Sequence, residues 1–216
     1  MKVVTEDFGI VISGFDRTAN MVRPWADAGY LCYCIDNQHE PGERREGNII
    51  YVGADMLTWQ PDFDVSGVIF QSYFPPCTDL AVSGARWFPE KGLDALALAI
   101  QLFSAAIKLG EKCKAPYLIE NPVSTISSYW RKPDYTFDPC EYAGYEGGGN
   151  DLYTKKTCLW VNGNFKMPEP RSRAPEKGSM MHLVPPGPDR ANIRSATPAG
   201  FARAVFEANA PHLQAT

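Results

Sequence analysis

Gly9-Ile10-Val11-Ile12-Ser13-Gly14-Phe15-Asp16-Arg17-Thr18 opens as an apolar run and closes in small and polar residues. A helical pattern follows, with Met21, Val22, Trp25 and Ala28 on one face and Gly29 as its stop. A second apolar run, Tyr30 to Ile35, ends in Asp36. Strand, small-residue turn, helix, strand and acid is how a doubly wound α/β sheet begins. The acid stands about twenty residues beyond the turn, the spacing by which a carboxylate reaches a ribose hydroxyl pair. Ser13, Gly14 and Phe15 are therefore the candidate cofactor turn, and Asp36 with Asn37 the candidate ribose side. The turn holds one glycine rather than three, which disfavours a diphosphate cradle. A nucleoside cofactor without phosphates suits it better, and S-adenosyl-L-methionine is the common one. A plain βαβ unit with an incidental acid fits this segment equally well.

Working outward, a polar loop from His39 to Asn48 precedes a third apolar run, Ile49 to Val52, which ends at Gly53-Ala54-Asp55-Met56. An acid at that strand end, Asp55, can accept from an adenine amino group, with Met56 beside it. Val65 to Phe70 reads as the fourth strand. Proline cannot donate to a ladder, so Phe74-Pro75-Pro76 stops the strand and leaves Cys77 at its carboxyl end, where open α/β sheets place ligands. A thiol held there is a candidate nucleophile; the plainer reading is a small buried apolar cysteine. Ser83-Gly84-Ala85 reads as a hinge in the loop beyond. Leu93, Leu96, Ala97, Ile100, Phe103 and Ile107 recur at helical spacing, with Gly110 past the end, and predict a long helix packed on the sheet. A fifth strand, Ala115 to Ile119, runs into Glu120-Asn121-Pro122.

The carboxyl-terminal part is richer in proline and glycine. Tyr129-Trp130-Arg131-Lys132-Pro133 opens an aromatic, basic stretch that would suit unstacked bases. Gly147-Gly148-Gly149 reads as a flexible break. Lys155-Lys156-Thr157-Cys158-Leu159-Trp160-Val161 reads as a strand with two cations at its start, and residues 162–192 as mobile loop. Thr197-Pro198 reads as an N-cap and first helical position, followed by a final helix carrying Phe201, Ala204, Val205 and Ala208.

A chain of 216 residues suits one α/β domain. Residues 1–128 would be its cofactor and catalytic half, 129–192 a loop-rich substrate side, and 193–216 a closing helix. The net charge of −4 argues against indiscriminate nucleic-acid binding, but it is uneven, −6 over residues 1–128 and +2 over 129–216. A polyanion should approach the second half. Six cysteines without a C-x-x-C pair support neither zinc nor a disulfide framework, so no metal is expected. The sequence shows no signal peptide and no apolar run long enough to span a membrane, so no membrane partner is expected and a cytoplasmic location is the default.

Phe74-Pro75-Pro76-Cys77 on one strand end and Glu120-Asn121-Pro122 on the next resemble two motifs of the DNA cytosine-C5 methyltransferase family. The family pattern is Pro-Cys followed about forty residues later by Glu-Asn-Val; here Pro122 replaces the valine. The resemblance covers roughly residues 9–122, and Asp16 departs from the family's second cofactor-loop glycine. It implies a class I S-adenosylmethionine-dependent methyltransferase, a Rossmann-like, mostly parallel doubly wound sheet. It further implies that Cys77 is the nucleophile and Glu120 the partner of cytosine N3. Asn121 would order the Pro-Pro-Cys loop. Lys155 or Lys156 would stand in for an Arg-x-Arg pair that contacts the base. Ser13, Gly14, Phe15, Asp36, Asn37, Asp55, Met56, Phe74 and Pro75 would line the cofactor.

Family members usually add a separate target-recognition domain, for which this chain has only short loops. The expected substrate is therefore DNA, duplex, single-stranded or presented by a partner subunit. The same chemistry on a free pyrimidine nucleotide such as dCMP is the alternative. A catalytically inactive methyltransferase-fold binding subunit is the non-enzymatic reading.

Overall fold

A computed structural model of the chain describes residues 8–179, 184–187 and 189–214. The expected loop-rich segment thus includes residues 180–183 and 188, and the closing segment residues 215–216, that lie outside the described residues.

Strands β1 (Ile10–Gly14), β2 (Leu31–Ile35), β4 (Ile49–Gly53), β5 (Val68–Tyr73) and β6 (Tyr117–Pro122) are the apolar runs, buried because helices cover both faces. With β3 (Gly42–Glu46), β7 (Tyr135–Phe137) and β9 (Thr157–Asn162) they form one eight-stranded sheet, ordered β3-β4-β2-β1-β5-β6-β9-β7. Pairings from β4 through β6 are parallel; β3, and β9 against both β6 and β7, are antiparallel. The protein is thus an α/β fold with a mixed, mostly parallel sheet. The strand order reverses direction about β1, and β1 and β5 lie side by side at that switch.

One face is closed by α1 (Arg23–Asp27) and α5 (Ala199–Asn209), which follows the short helices α3 (Ile126–Tyr129) and α4 (Arg190–Ser195); Trp25, Phe201 and Phe206 pack there with Val11, Phe70, Leu118 and Leu159. Trp25 stacks on Phe70 with ring centroids 4.8 Å apart. The other face is closed by α2 (Phe88–Cys113), whose Ala99, Phe103, Ala106 and Leu109 meet Ile12, Tyr73, Ile119 and Trp160. Burying an aromatic of this size stabilises by about 2–3 kcal/mol.

Several expectations need correction. Residues Val65–Gly67 form a 3-10 turn capped by Asp64, so β5 begins three residues later than its apolar run and reaches Tyr73. The loop expected over 39–48 contains β3, an exposed edge strand of Gly and charged residues, which gives no apolar signal. Helix α1 starts only at Arg23, with Pro24 in its first turn, because the residues before it make a tight turn. Gly110 lies inside α2 rather than beyond it: a Cβ there would come within 2.7 Å of the Tyr117 ring. Helix α2 ends instead at Lys114, in the left-handed region with φ 55. Leu93, counted on the packed face, is 82% exposed, because the first turns of α2, broken at Gly92 (φ 74), project past the sheet. The expected hinge at Ser83-Gly84-Ala85 is a 3-10 helix, Val82–Trp87. By length and composition Val82–Cys113 is long and apolar enough to cross a membrane, although its second half packs on the sheet.

The carboxyl-terminal part is not a detached lobe. Gly148 is buried against the Ala143 backbone, so the glycine run is a packed corner and not a break. Residues 165–173 are held by Tyr142 and Tyr145, whose hydroxyls donate to the carbonyls of Pro168 (3.1 Å) and Glu169 (2.8 Å). The short strands β8 (Tyr153–Thr154) and β10 (Lys177–Ser179) pair in parallel. The cap of α5 is not Thr197. The Asp151 carboxylate, far back in sequence, accepts from the Gly200 amide at 2.8 Å.

Candidate active site

The sheet dictates what meets at its carboxyl edge. Strands β5 and β6 are parallel neighbours, so the turn after Tyr73 and the end of β6 lie side by side. The Asn121 amide donates to the Pro75 carbonyl at 2.9 Å and holds the Pro-Pro turn in place. The cysteine beyond it is fixed from the other side. Leu80 and Ala81 donate their amides to the Cys77 carbonyl (3.0 and 2.8 Å), while Thr125 donates to the Leu80 carbonyl (2.9 Å) and Val82 to that of Val123 (3.0 Å). Cys77 is half-buried, whereas the other five cysteines are buried.

Alternation along β6 puts Leu118 on the α1/α5 face and Ile119 on the α2 face, so Glu120 returns to the α1/α5 side. Its Oε1 is buried and has no hydrogen-bond partner among the described residues. Burial raises the carboxyl pKa, and the Lys155 ammonium only partly offsets this. Burial also pushes the Cys77 thiol up, and the neighbouring Glu120 adds to the effect; Lys155 and then Arg194 pull it back. These mutual effects put sulfur, carboxyl and two cations in one electrostatic neighbourhood.

Strand β9 brings Lys155. Because β9 runs antiparallel to β6, its first residue, Thr157, pairs with Pro122, and the residues before it rise over the carboxyl edge. Lys155 is anchored there by its amide to Asp138 Oδ1 (2.7 Å) and by Nζ to the Arg194 carbonyl (3.0 Å). Its neighbour Lys156 is exposed and acts on Cys158, not on Cys77 or Glu120. The structure thus brings Cys77, Glu120, Asn121 and Lys155 together and leaves Lys156 outside. Tyr153 joins them: burial, Asp151 and then Glu120 push its hydroxyl up to about 12. Tyr153 and Arg194 were not found from sequence as catalytic-side residues, for neither sits in a periodic element. Within the aromatic stretch at 129–135, Arg131 is engaged away from this edge. The Trp160 indole donates to the Arg131 carbonyl at 2.9 Å, and Arg131 is spent on Asp134 (2.6 Å) and the Val161 carbonyl (3.0 Å). Since Val161 pairs with Leu118, Arg131 lies below the end of β6, whereas Tyr135, paired with Leu159, is level with Glu120 but two strands away.

Neither the family models nor the curated proteins yield a match to the chain.

At the edge expected to hold a cofactor, Gly14, Asp36, Met56 and Phe74 converge. Gly14 pairs with Ile35 and Tyr73, and a Cβ on it would come within 2.7 Å of the Met56 methyl. The Phe74 amide donates to the Gly14 carbonyl at 3.0 Å, and the Asp36 amide to that of Val52 at 3.1 Å. Phe15 takes a left-handed conformation, φ 57. The turn is organised by Asp16, which the cofactor assignment omitted. Its buried carboxylate accepts from Ser13 Oγ (2.8 Å), the Thr18 amide (3.0 Å) and hydroxyl (3.1 Å), and the Ala19 amide (2.8 Å). Amides that would cradle a phosphate are therefore already occupied by an internal anion. Ser13 is spent likewise, donating to Asp16 and accepting from Ser72 at 3.0 Å.

Asp36 is buried and accepts the Gln38 amide on Oδ1 (2.8 Å), while Oδ2 has no partner among the described residues. Asp55 is exposed, with Oδ1 taken by the Leu57 amide (2.9 Å). Asn37 is exposed. These donors and acceptors fit a nucleoside without phosphates and do not fit a dinucleotide. Two cavities lie elsewhere. One of about 410 Å³ lies between Asp79 and the start of α2, and one of about 330 Å³ lies at the foot of β5, beside Val68 and Pro116. Among the described residues no three His, Cys, Asp or Glu side chains cluster as metal ligands.

Proposed function

We propose that the chain is an S-adenosylmethionine-dependent methyltransferase of class I fold that methylates carbon 5 of cytosine in DNA. The observation that carries this reading is the meeting, on adjacent strand ends, of the half-buried Cys77 thiol with the half-buried Glu120 carboxyl, whose Oε1 is buried without a hydrogen-bond partner among the described residues. Carbon 5 of cytosine is a poor nucleophile until a thiolate adds to carbon 6. Cys77 loses its proton to solvent and its sulfur forms that bond. Glu120, whose carboxyl pKa is raised by burial, passes a proton to N3 as electron density enters the ring. A bound cofactor would supply an electrophilic methyl on its sulfonium to carbon 5. Loss of the carbon 5 proton to water and cleavage of the carbon–sulfur bond then restore the ring and the thiolate, and N3 returns the proton to Glu120. Lys155 stabilises the thiolate, and Asn121 fixes the turn that carries it.

Asp36 would hold the ribose, with Phe74, Pro75 and Met56 beside it; Asp55 would serve the adenine. The sheet order, with its switch between β1 and β5, supports this placement. A second reading, the same chemistry on a free pyrimidine nucleotide, is favoured by one observation: the loop segment 165–173 folds back on Tyr142 and Tyr145 and builds no separate recognition lobe.

The test is incubation with labelled cofactor and either DNA or dCMP. Label on carbon 5 of cytosine in DNA is the expected result, and Cys77→Ser should lower the rate by about a thousandfold or more. Label only on an exocyclic nitrogen, or full activity in Cys77→Ser, overturns the mechanism; label on dCMP alone selects the second reading.

A further inference from the structure

Helix α2 carries an apolar face that nothing among the described residues covers. Its inner side, with Ala99, Phe103, Ala106 and Leu109, packs on the sheet. The opposite side holds Asp94, Ala97, Leu98, Gln101 and Lys108, all exposed, Leu98 at 49%. The helix has the length and apolar composition of a membrane span, yet only 22% of its apolar 18-residue window is buried. A contiguous apolar surface left bare in this way marks an interaction site.

The charges say what covers it. Between Leu93 and Leu109 only Asp94 and Lys108 are charged, and they stand fourteen residues apart, so both fall on the exposed stripe with Gln101 midway. Neither has a hydrogen bond or ion pair among the described residues. A second copy laid parallel would set Asp94 against Asp94 and Lys108 against Lys108. Laid antiparallel about Gln101, it sets Asp94 against Lys108 at both ends. The flanks follow the same rule, Glu90 opposite Lys112 and Lys91 opposite Glu111. They add little, because Lys91 is engaged with Asp79 (2.6 Å) and Lys112 with Gln60 (2.7 Å). We propose that α2 is the contact of a symmetric dimer: two copies of this chain pack antiparallel along this face, Gln101 at the twofold axis and Asp94 paired with Lys108 of the other copy. A twofold contact requires a surface complementary to itself, and this stripe is one. Apolar burial holds the pair, and the exposed charges choose its direction. A bilayer fits less well: the inner side of α2 is packed into the core, and the outer side lacks the cation-rich border of a helix lying on lipid. Lys91 also ties the start of α2 to the Cys77 loop, through the Thr78 carbonyl (3.2 Å) and Asp79, so the pairing sets the two sites at opposite ends of the joined helices. The inference does not depend on the proposed chemistry.

The experiment is sedimentation velocity on the full chain under reducing conditions, from about 2 to about 200 µM, because one helix face of about 21 Å is at the small end of stable interfaces and predicts a reversible dimer. A passage from monomer to dimer across that range is expected. Asp94→Lys and Lys108→Asp should each weaken the dimer by about tenfold or more, since like charges then meet at both ends. The two variants mixed together, or both substitutions in one chain, should restore it. Both positions are exposed, so the fold is not at stake, and the restored pair separates lost docking from lost folding. A monomer at every concentration, or a dimer that Asp94→Lys leaves as tight as the parent's, overturns the inference. So does a monomer that floats with phosphatidylcholine vesicles, which would give the face to a bilayer instead.

Discussion

Glu120 carries two duties with opposite demands. A carboxyl whose pKa is raised by burial is held protonated more tightly in the folded protein than in the unfolded chain. The resulting stabilisation is fully present below the ordinary carboxylate value and is lost as pH rises through the raised one. Glu120→Gln removes the ionisable group while keeping its shape. It should raise Tm at pH 8, by on the order of 3 °C per kcal/mol relieved, and leave Tm unchanged at pH 4. Thermal unfolding at the two pH values checks this, and a variant less stable than the parent at pH 8 contradicts it. In the proposed mechanism the same substitution also removes the proton donor for N3, so stability and activity should move in opposite directions. Cys77 and Glu120 were legible in the sequence because both stand directly after apolar runs, where strand ends are easy to place. Tyr153 was not, because contacts between a two-residue strand and the sheet edge leave no periodic trace.

Asp16 shows how one side chain can build an element. It stands at the β1–α1 turn, where Phe15 and Ala19 adopt left-handed φ of 57 and 58, and its carboxylate collects two amides and two hydroxyls. Asp16→Ala leaves the Thr18 and Ala19 amides without their acceptor and should cost about 2–4 kcal/mol, read as a lowered urea midpoint. Asp16→Asn, which keeps one acceptor, should cost less. In α2 the packing glycine makes a sharper case. Gly110→Ala gains helix propensity of about 1 kcal/mol yet pushes a methyl into the Tyr117 ring, so a net loss of about 1–3 kcal/mol is expected. A urea midpoint above the parent's would show that the ring yields. The same helix explains why its apolar stripe was over-read. Leu93 and Ile107 share a spacing, but the sheet extends under only the second half. Strand β3 was invisible for the converse reason: a charged edge strand buries nothing and so carries no pattern.

At the scale of the molecule, the sheet does not divide where the charge and composition do. Residues 129–216 supply β9 and β7, and Leu159 and Trp160 are fully buried between the two helical layers. A fragment ending at residue 128 therefore lacks both, leaves β6 as a bare edge and should not fold, judged by hydrogen exchange or near-ultraviolet circular dichroism. The full chain should unfold in one urea transition by fluorescence and circular dichroism alike. A native-like fragment 1–128, or two separated transitions, would overturn the view of one cooperative unit. Order of synthesis adds a last consequence. Strand β7 leaves the ribosome before β9 yet ends up outside it, so β7 has no strand to pair with until β9 is made and the far edge of the sheet is completed last. Lys155, two residues ahead of β9, reaches the edge beside Cys77 only with that pairing.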